Sequence, residues 1–245
     1  MSNKFKFKDI DQAGMDTLNV VAKANKFNTW MYNTIKPYCT GNILEIGSGI
    51  GNISDYLIDD NQQVTLSDIH QNYVDILKKK HAQRTNLKDV LLMDIIDPDF
   101  DSKFENYFET FDSVYALNIV EHVEADTQAI ANIKKLLKPN GKIIILVPAY
   151  QSLYNGFDKE LEHYRRYNKQ CLNSLMINNT IEIIHSQYFN FIGVFGWWFS
   201  GSLLKKKTIP EGQMSLYNLL VPIFKIIDKI IFNKIGLSVI SIGKK

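Results

Sequence analysis

Cysteine is nearly absent. The 245 residues contain two, Cys39 and Cys171, far apart and at no redox or metal-binding spacing. A disulfide scaffold is excluded, no metal is expected, and a reduced, cytoplasmic protein is the simple reading. Charge of one sign is also missing. The formal net charge of +2 lacks the strong basic stripe of a nucleic-acid binder, so no nucleic-acid partner is expected. There is no internal repeat and no low-complexity linker. The N-terminus, MSNKFKFKDIDQ, is charged and has no apolar centre, so it does not read as a signal peptide. No apolar run reaches the roughly 20 residues of a clean membrane span. The nearest approach, residues 185–204, is uncharged but carries Ser, Gln, Asn and Gly. What is present is a globular mix, 45% hydrophobic and 22% charged, long enough to bury a core without staples. Aromatic residues make up 12%, and much of that excess gathers between residues 150 and 232.

The periodicity then organises the chain. Residues 13–36 carry Leu18, Val21, Ala22, Phe27, Trp30, Met31 and Ile35 at helical spacing, and Pro37 stops the helix. Short, continuously apolar segments follow at 42–46, 63–68, 90–93, 113–117 and 142–147. They alternate with helical segments at 53–58, 71–81 and 126–137, the last ended by Lys138-Pro139-Asn140-Gly141. Strands without polar alternation belong to a parallel sheet buried on both faces. The fold class expected is α/β. The last third is less regular: a helix over 171–177, a strand over 181–184, an aromatic and then helical excursion over 190–236, and a closing strand over 237–242.

The most informative segment is LEIGSGIGN, residues 44–52. A strand runs into Gly47-x-Gly49-x-Gly51 and then a helix, so the backbone can turn sharply and approach a ligand. A dinucleotide fingerprint would place glycine or alanine where Asn52 stands. Glu45, two residues before the first glycine, is unwelcome beside a pyrophosphate but tolerable beside a cation. The second strand ends in Asp68, about 20 residues on, where a carboxylate can accept from ribose hydroxyls. Asp68 could also cap the helix that starts at Gln71. The third strand ends in Asp94-Ile95, a carboxylate and an apolar face suited to adenine. The fourth ends in Asn118-Ile119-Val120-Glu121-His122. All fall at carboxyl ends of strands, where open α/β sheets bind ligands.

With these pieces the chain resembles the class I S-adenosylmethionine-dependent methyltransferases. LEIGSGIGN, VTLSDI, LLMDI, ALNIVEHV and LKPNGKIIILVP stand in that family's order and cover residues 40–150. The resemblance implies a Rossmann-like, mostly parallel seven-stranded sheet with helices on both faces, and S-adenosyl-L-methionine as cofactor. It implies that Glu45, Gly47, Ser48, Gly49 and Gly51 shape the methionine end, Asp68 and Ile69 the ribose, Asp94 and Ile95 the adenine, and that Asn118 lines the pocket beside the sulfonium. The layout also resembles a bacterial group linked to envelope glycan and glycolipid pathways. That likeness rests on Asp158 to Tyr167, on Trp197-Trp198 and on Gly236-Leu237-Ser238. The expected organisation is one methyltransferase domain over 1–245: a helical lid to residue 40, a cofactor core over 41–150, and a substrate side over 151–245.

On the substrate side, Tyr150 and the run Glu162-His163-Tyr164-Arg165-Arg166-Tyr167 form a polar, aromatic loop suited to a pocket lip. Arg165 and Arg166 could grip a phosphate or carboxylate, or simply pair with Asp158, Glu160 and Glu162. His163 has the intrinsic pKa of a base near neutrality, and His122 competes for that role. Tyr150, Arg165, Arg166, Tyr167 and Trp197 are the expected acceptor contacts. The resemblance implies an acceptor that is a small molecule or of lipid or glycan type, methylated at a hydroxyl or an amine. Residues 188–235, aromatic and followed or interspersed by lysines, read either as core over the sheet or as a surface that meets a membrane peripherally. Three competing functions carry less. An NAD oxidoreductase conflicts with Glu45 and Asn52, a nucleic-acid methyltransferase with the near-neutral charge, and a catalytically silent cofactor-binding or membrane-docking subunit needs no residue above to act. Oligomeric state is not written in the sequence.

Overall fold

The computed structural model describes residues 12–206 and 211–245. The charged N-terminal residues and Lys207 of the Lys205–Lys207 cluster lie outside them. The chain opens with α1 (Gln12–Ala22) and α2 (Asn25–Ile35). It then alternates through β1 (Asn42–Ile46), α3 (Ser54–Asp59), β2 (Gln63–Asp68), α4 (Gln71–Lys80), β3 (Leu87–Leu92), α5 (Phe100–Phe104), β4 (Phe111–Leu117), α6 (Asp126–Leu136) and β5 (Leu137–Pro148). After it come α7 (Gly156–Glu160), α8 (Lys169–Asn178), β6 (Glu182–Phe189), α9 (Phe191–Trp197), α10 (Glu211–Ile230) and β7 (Ser238–Lys244).

The strands form one seven-stranded sheet in the order β3-β2-β1-β4-β5-β7-β6. The pairs among β1 to β5 are parallel, and β7 runs antiparallel between β5 and β6. The expected class I fold is therefore present. Strand order reverses at β1, with β2 on one side and β4 on the other, so a crevice opens at the carboxyl ends of these strands. Ile43 and Leu44 of β1, Val114 of β4 and Ile143 to Ile145 of β5 are fully buried, as a sheet covered on both faces requires. One core half holds α5, α6 and α8 against the sheet. The other holds α2, α3, α4 and one side of α10.

Several boundaries differ from the sequence expectation. The single helix over 13–36 is two helices, broken at residues 23–24. The Ala24 amide and the Asn28 side chain both donate to the Val21 carbonyl at 2.9 Å, closing the turn between α1 and α2. The Pro139-Asn140-Gly141 turn does not precede β5 but sits inside it. Leu137 already pairs with Phe111, then the register shifts so that Ser113 faces Lys142. Asn140, at φ 66°, absorbs the extra residues as a bulge does. β6 extends five residues past the expected end because β7 pairs with it through Phe189. Within the expected 190–236 excursion, α10 runs for 20 residues with Pro222 inside it.

Candidate functional site

A cavity of about 460 Å³ lies at the carboxyl ends of the parallel strands. Its floor comes from the strand ends, one wall from α1, and its far side from the segment after β5 and from α9 and α10. Of the residues singled out in the sequence, the cavity is lined by Gly47, Gly49, Asp68, Ile69, Asp94, Ile95, Asn118, His122, His163, Arg166 and Trp197.

The glycine loop is built by backbone conformation. Gly47, Gly49 and Gly51 have φ of +73°, +53° and +85°, where L side chains are strained. A side chain at Gly47 would also overlap Ile119. The loop is tied to β2, since the Gly47 and Ser48 amides both donate to the Ser67 carbonyl at 2.9 Å. Asp68 completes the tie. Its Oδ2 accepts from the Gly49 amide and its Oδ1 from the His70 amide, each at 2.9 Å. The second bond shapes the turn before α4, but Asp68 is not the helix cap expected as the alternative, since His70 stands at the N-cap and no side chain caps α4. Asp68 also lines the cavity. Burial pushes the Asp68 carboxyl above its usual pKa, against the pull of those amides. Asp94 has the same character: burial raises it, and its Oδ1 accepts from the Ile96 amide at 2.9 Å. Asn118 takes φ +55°, which turns the chain at the end of β4 toward the cavity.

Six expected site residues are not on the cavity wall: Glu45, Ser48, Gly51, Tyr150, Arg165 and Tyr167. Glu45 lies beneath the glycine loop, 5% exposed, bonded to the Ser54 hydroxyl. Burial raises its pKa to about 7 from an ordinary 4.5. The folded state therefore holds this proton more tightly than the unfolded chain does. The resulting stability is complete below about pH 4.5 and is lost as pH rises through about 7. In urea titrations from pH 4.5 to 8, Glu45→Gln is expected to gain on wild type by about 3 kcal/mol. Parallel profiles for the two proteins would contradict this.

The HYRRY loop is the largest departure. A pocket lip is expected, and His163 and Arg166 do line the cavity, but much of the loop is buried. The Tyr167 amide donates to the Pro148 carbonyl and the Tyr150 amide to the Tyr167 carbonyl, at 2.9 and 2.7 Å. The loop is thereby stitched to the end of β5. The two arginines diverge. Arg165 is turned outward onto α6, with Nη1 on Asp126 Oδ2 and Nη2 on the Glu124 carbonyl, both at 2.8 Å. Tyr167 donates to that same Asp126 oxygen at 2.9 Å. Tyr150 stacks on Tyr188. Arg166 turns inward. Its Nε donates to Asp158 Oδ1 at 2.7 Å and its Nη1 to the Ala149 carbonyl at 3.0 Å, while the guanidinium lies 4.6 Å from the Trp197 ring centre. Asp158 also meets His163 Nδ1 at 2.8 Å and takes the Asn155 amide at 2.9 Å. Burial pushes this carboxyl up, but His163 and Arg166 outweigh it and hold it below its ordinary value.

Glu121 was not among the expected site residues, yet it is fully buried on the cavity wall beside His122 and His163. The two imidazole rings meet edge to face at 4.6 Å. Burial lifts the Glu121 carboxyl to about 8 and drops His122 to about 3. The sequence did show Glu121, but as a neighbour of His122 without a role. The α1 wall, Gly14, Thr17, Leu18 and Val21, was also missed. Apolar periodicity there reads equally as core.

Comparison with known proteins agrees with the fold. Residues 44–143 match the family model described as a methyltransferase domain. An uncharacterised methyltransferase of Schizosaccharomyces pombe is 31% identical over 109 residues, 42% of this chain and 37% of that protein. The chain spans between 5% and 37% of the length of the curated relatives it matches. Among solved structures, phosphoethanolamine N-methyltransferase 2 of Haemonchus contortus, bound to S-adenosyl-L-methionine, aligns with a TM-score of 0.59. That alignment has 17% identity and covers 89% of this chain and 52% of that one. A Galdieria sulphuraria structure described as a sarcosine dimethylglycine methyltransferase gives 0.61 at 12% identity, over 89% and 85% of the two chains.

Proposed function

Because the chain carries the class I methyltransferase fold around a matched methyltransferase domain, we propose that it transfers a methyl group from S-adenosylmethionine to a small or lipid-linked acceptor. The carrying observation is the shared wall formed by the glycine loop, Asp68, and Asp94 with Ile95. That wall fits the cofactor. The positive-φ glycines leave room for close backbone approach. The Asp68 oxygens, each taking one amide, retain lone pairs for two ribose hydroxyls. Asp94 and Ile95 offer an acceptor beside an apolar face, as an adenine needs. S-adenosylmethionine supplies a methyl group on a sulfonium, already activated for displacement. The chain has to align the acceptor atom with it and exclude water.

The acceptor end lies past Asn118, between His122, His163, Arg166 and Trp197. Arg166, committed to Asp158, serves as a wall and a fixed charge rather than a free anion clamp. A hydroxyl acceptor suits His163 there, since its proton must be taken up and burial leaves His122 too weak a base. On this reading α1 and α2 act as a lid over the cofactor core. The test is titration calorimetry with S-adenosylhomocysteine and NAD. Micromolar binding of the former and none of the latter is expected; the reverse would overturn the assignment. Uptake of labelled methyl from a cell extract then finds the acceptor.

A lipid-bearing acceptor is favoured by the surface of the last third. Twelve of the sixteen exposed large hydrophobic side chains among the described residues lie between residues 195 and 235. On α10, Leu216, Leu219, Ile223, Ile226 and Ile230 recur at helical spacing, each more than half exposed. The core reading holds only for the opposite side, Val221 and Phe224. Lys229 and Lys234 flank the apolar row, and Lys205 and Lys206 follow the exposed Leu203 and Leu204. An apolar face edged with lysines complements an anionic bilayer surface. No helix among the described residues is long and apolar enough to cross a membrane, so the contact proposed is peripheral. Flotation with vesicles containing phosphatidylglycerol should carry the protein up. Leu219→Asp/Ile226→Asp should leave it at the bottom of the gradient. Equal flotation of the two proteins, or none by wild type, would remove this part of the proposal.

A further inference from the structure

We propose that Glu121, His122 and His163 form a binding site for one divalent transition-metal ion at the acceptor end of the cavity. Their ligand atoms, a carboxylate oxygen and two imidazole nitrogens, all lie within 4.8 Å of one another. All three residues line the cavity, so an ion can reach them. The pair Glu121-His122 comes from the turn after β4, and His163 from the loop after α7.

Three observations point to a cation rather than to an ordinary polar cluster. First, both Glu121 carboxylate oxygens are buried and have no hydrogen-bond partner among the described residues. A carboxylate without partners in a protein interior is costly, and an ion bound to it removes that cost. Second, His163 is arranged as a ligand. Its Nδ1 is engaged by Asp158 at 2.8 Å, which fixes the ring and leaves Nε2 for the cavity. A metal-ligating imidazole commonly carries such a carboxylate on its other nitrogen. Third, that carboxylate is itself immobilised. Asp158 is held by Arg166 Nε at 2.7 Å and by the Asn155 amide at 2.9 Å, so the orienting group does not swing. The Tyr164 amide, donating to the Glu121 carbonyl at 2.8 Å, pins the His163 loop to the β4 turn and holds the three ligands together.

Two nitrogens and one oxygen suit zinc and the neighbouring first-row metals better than magnesium or calcium, which prefer all-oxygen sites. Three protein ligands leave a position open. That position would take an acceptor oxygen, which makes an acceptor with a hydroxyl, or two adjacent hydroxyls, the expected class. This last point rests on the methyltransferase reading; ion binding itself does not, and it is measured without cofactor.

The test uses the full chain, stripped with chelator and titrated calorimetrically with Zn²⁺, then separately with Mg²⁺. One Zn²⁺ per chain with micromolar or tighter affinity is expected, and much weaker Mg²⁺ binding. Glu121→Gln and His163→Asn should each weaken Zn²⁺ at least tenfold. His185→Asn, on the edge strand β6, should not change it. Should the site variants fail to fold, wild type loaded with Co²⁺ decides. Visible d–d absorption that Zn²⁺ abolishes stoichiometrically supports the site, and its absence overturns it. Zn²⁺ binding unchanged in Glu121→Gln/His163→Asn, with native circular dichroism, also overturns it. S-adenosylhomocysteine affinity measured on the same samples separates failure of the metal site from failure of the cofactor assignment.

Discussion

Asp158→Ala is expected to lower the unfolding free energy by about 3–5 kcal/mol, the cost of leaving a buried charge without its partner. The Arg166 side chain is 1% exposed and Asp158 is 0% exposed, so the pair is shielded from bulk water. The same oxygen serves two donors, Arg166 Nε and His163 Nδ1. One substitution therefore leaves several polar atoms unsatisfied at once, including the Asn155 amide at the start of α7. Urea denaturation followed by circular dichroism reads the loss directly. Asp59→Ala is the control. Its ion pair with Arg84 is more than half exposed on the carboxylate side, and such pairs contribute about 1 kcal/mol or less. Adding Arg166→Met to Asp158→Ala should recover part of the loss, because a buried pair replaced by apolar groups can be near neutral. If Asp158→Ala costs no more than Asp59→Ala, the pair does not organise this loop.

Asp68→Ala is expected to weaken S-adenosylhomocysteine binding by at least tenfold, and by about a hundredfold or more if both ribose bonds are lost. Hydrogen bonds to a charged group are worth about 1.5–3 kcal/mol each, and each 1.4 kcal/mol is a factor of ten. The structure adds a second reason for a large effect. Asp68 also anchors the Gly49 amide, so its removal frees a loop whose positive-φ backbone must be pre-arranged to bind. Asp68→Asn separates the two contributions. It keeps the shape and one acceptor but loses the charge, and should fall between wild type and Ala. Calorimetry on all three proteins checks the order. Unchanged affinity in Asp68→Ala would remove this residue from the site.

The legible part of the site was the part carried by contiguous segments. LEIGSGIGN announces its own turn, because the glycines stand where a strand must reverse into a helix. Asp68 and Asp94 are legible because each closes an apolar run, and the end of a buried parallel strand is where the chain meets the crevice. The less legible part lies where one residue's role depends on segments far away. Arg165 and Arg166 are identical neighbours in sequence. One faces α6 and Asp126, the other the interior and Asp158, and nothing local distinguishes them. Glu121 has no role in its own segment. Its place beside His122 and His163 arises only when the turn after β4 meets a loop about 40 residues on.

By itself, then, the amino-acid order determined the α/β class, the sheet's parallel half, the glycine loop and the strand-end carboxylates. Periodicity, turn chemistry and continuous hydrophobicity are local properties, set by neighbours within a few residues. Tertiary structure alone decided which side of α10 stays exposed, that β7 inserts antiparallel between β5 and β6, and that the HYRRY loop is buried. It also decided that Glu121, His122 and His163 share one corner of the cavity. Each of these depends on which surfaces are left after distant elements have packed, and burial and unpaired polar atoms exist only in that packed state.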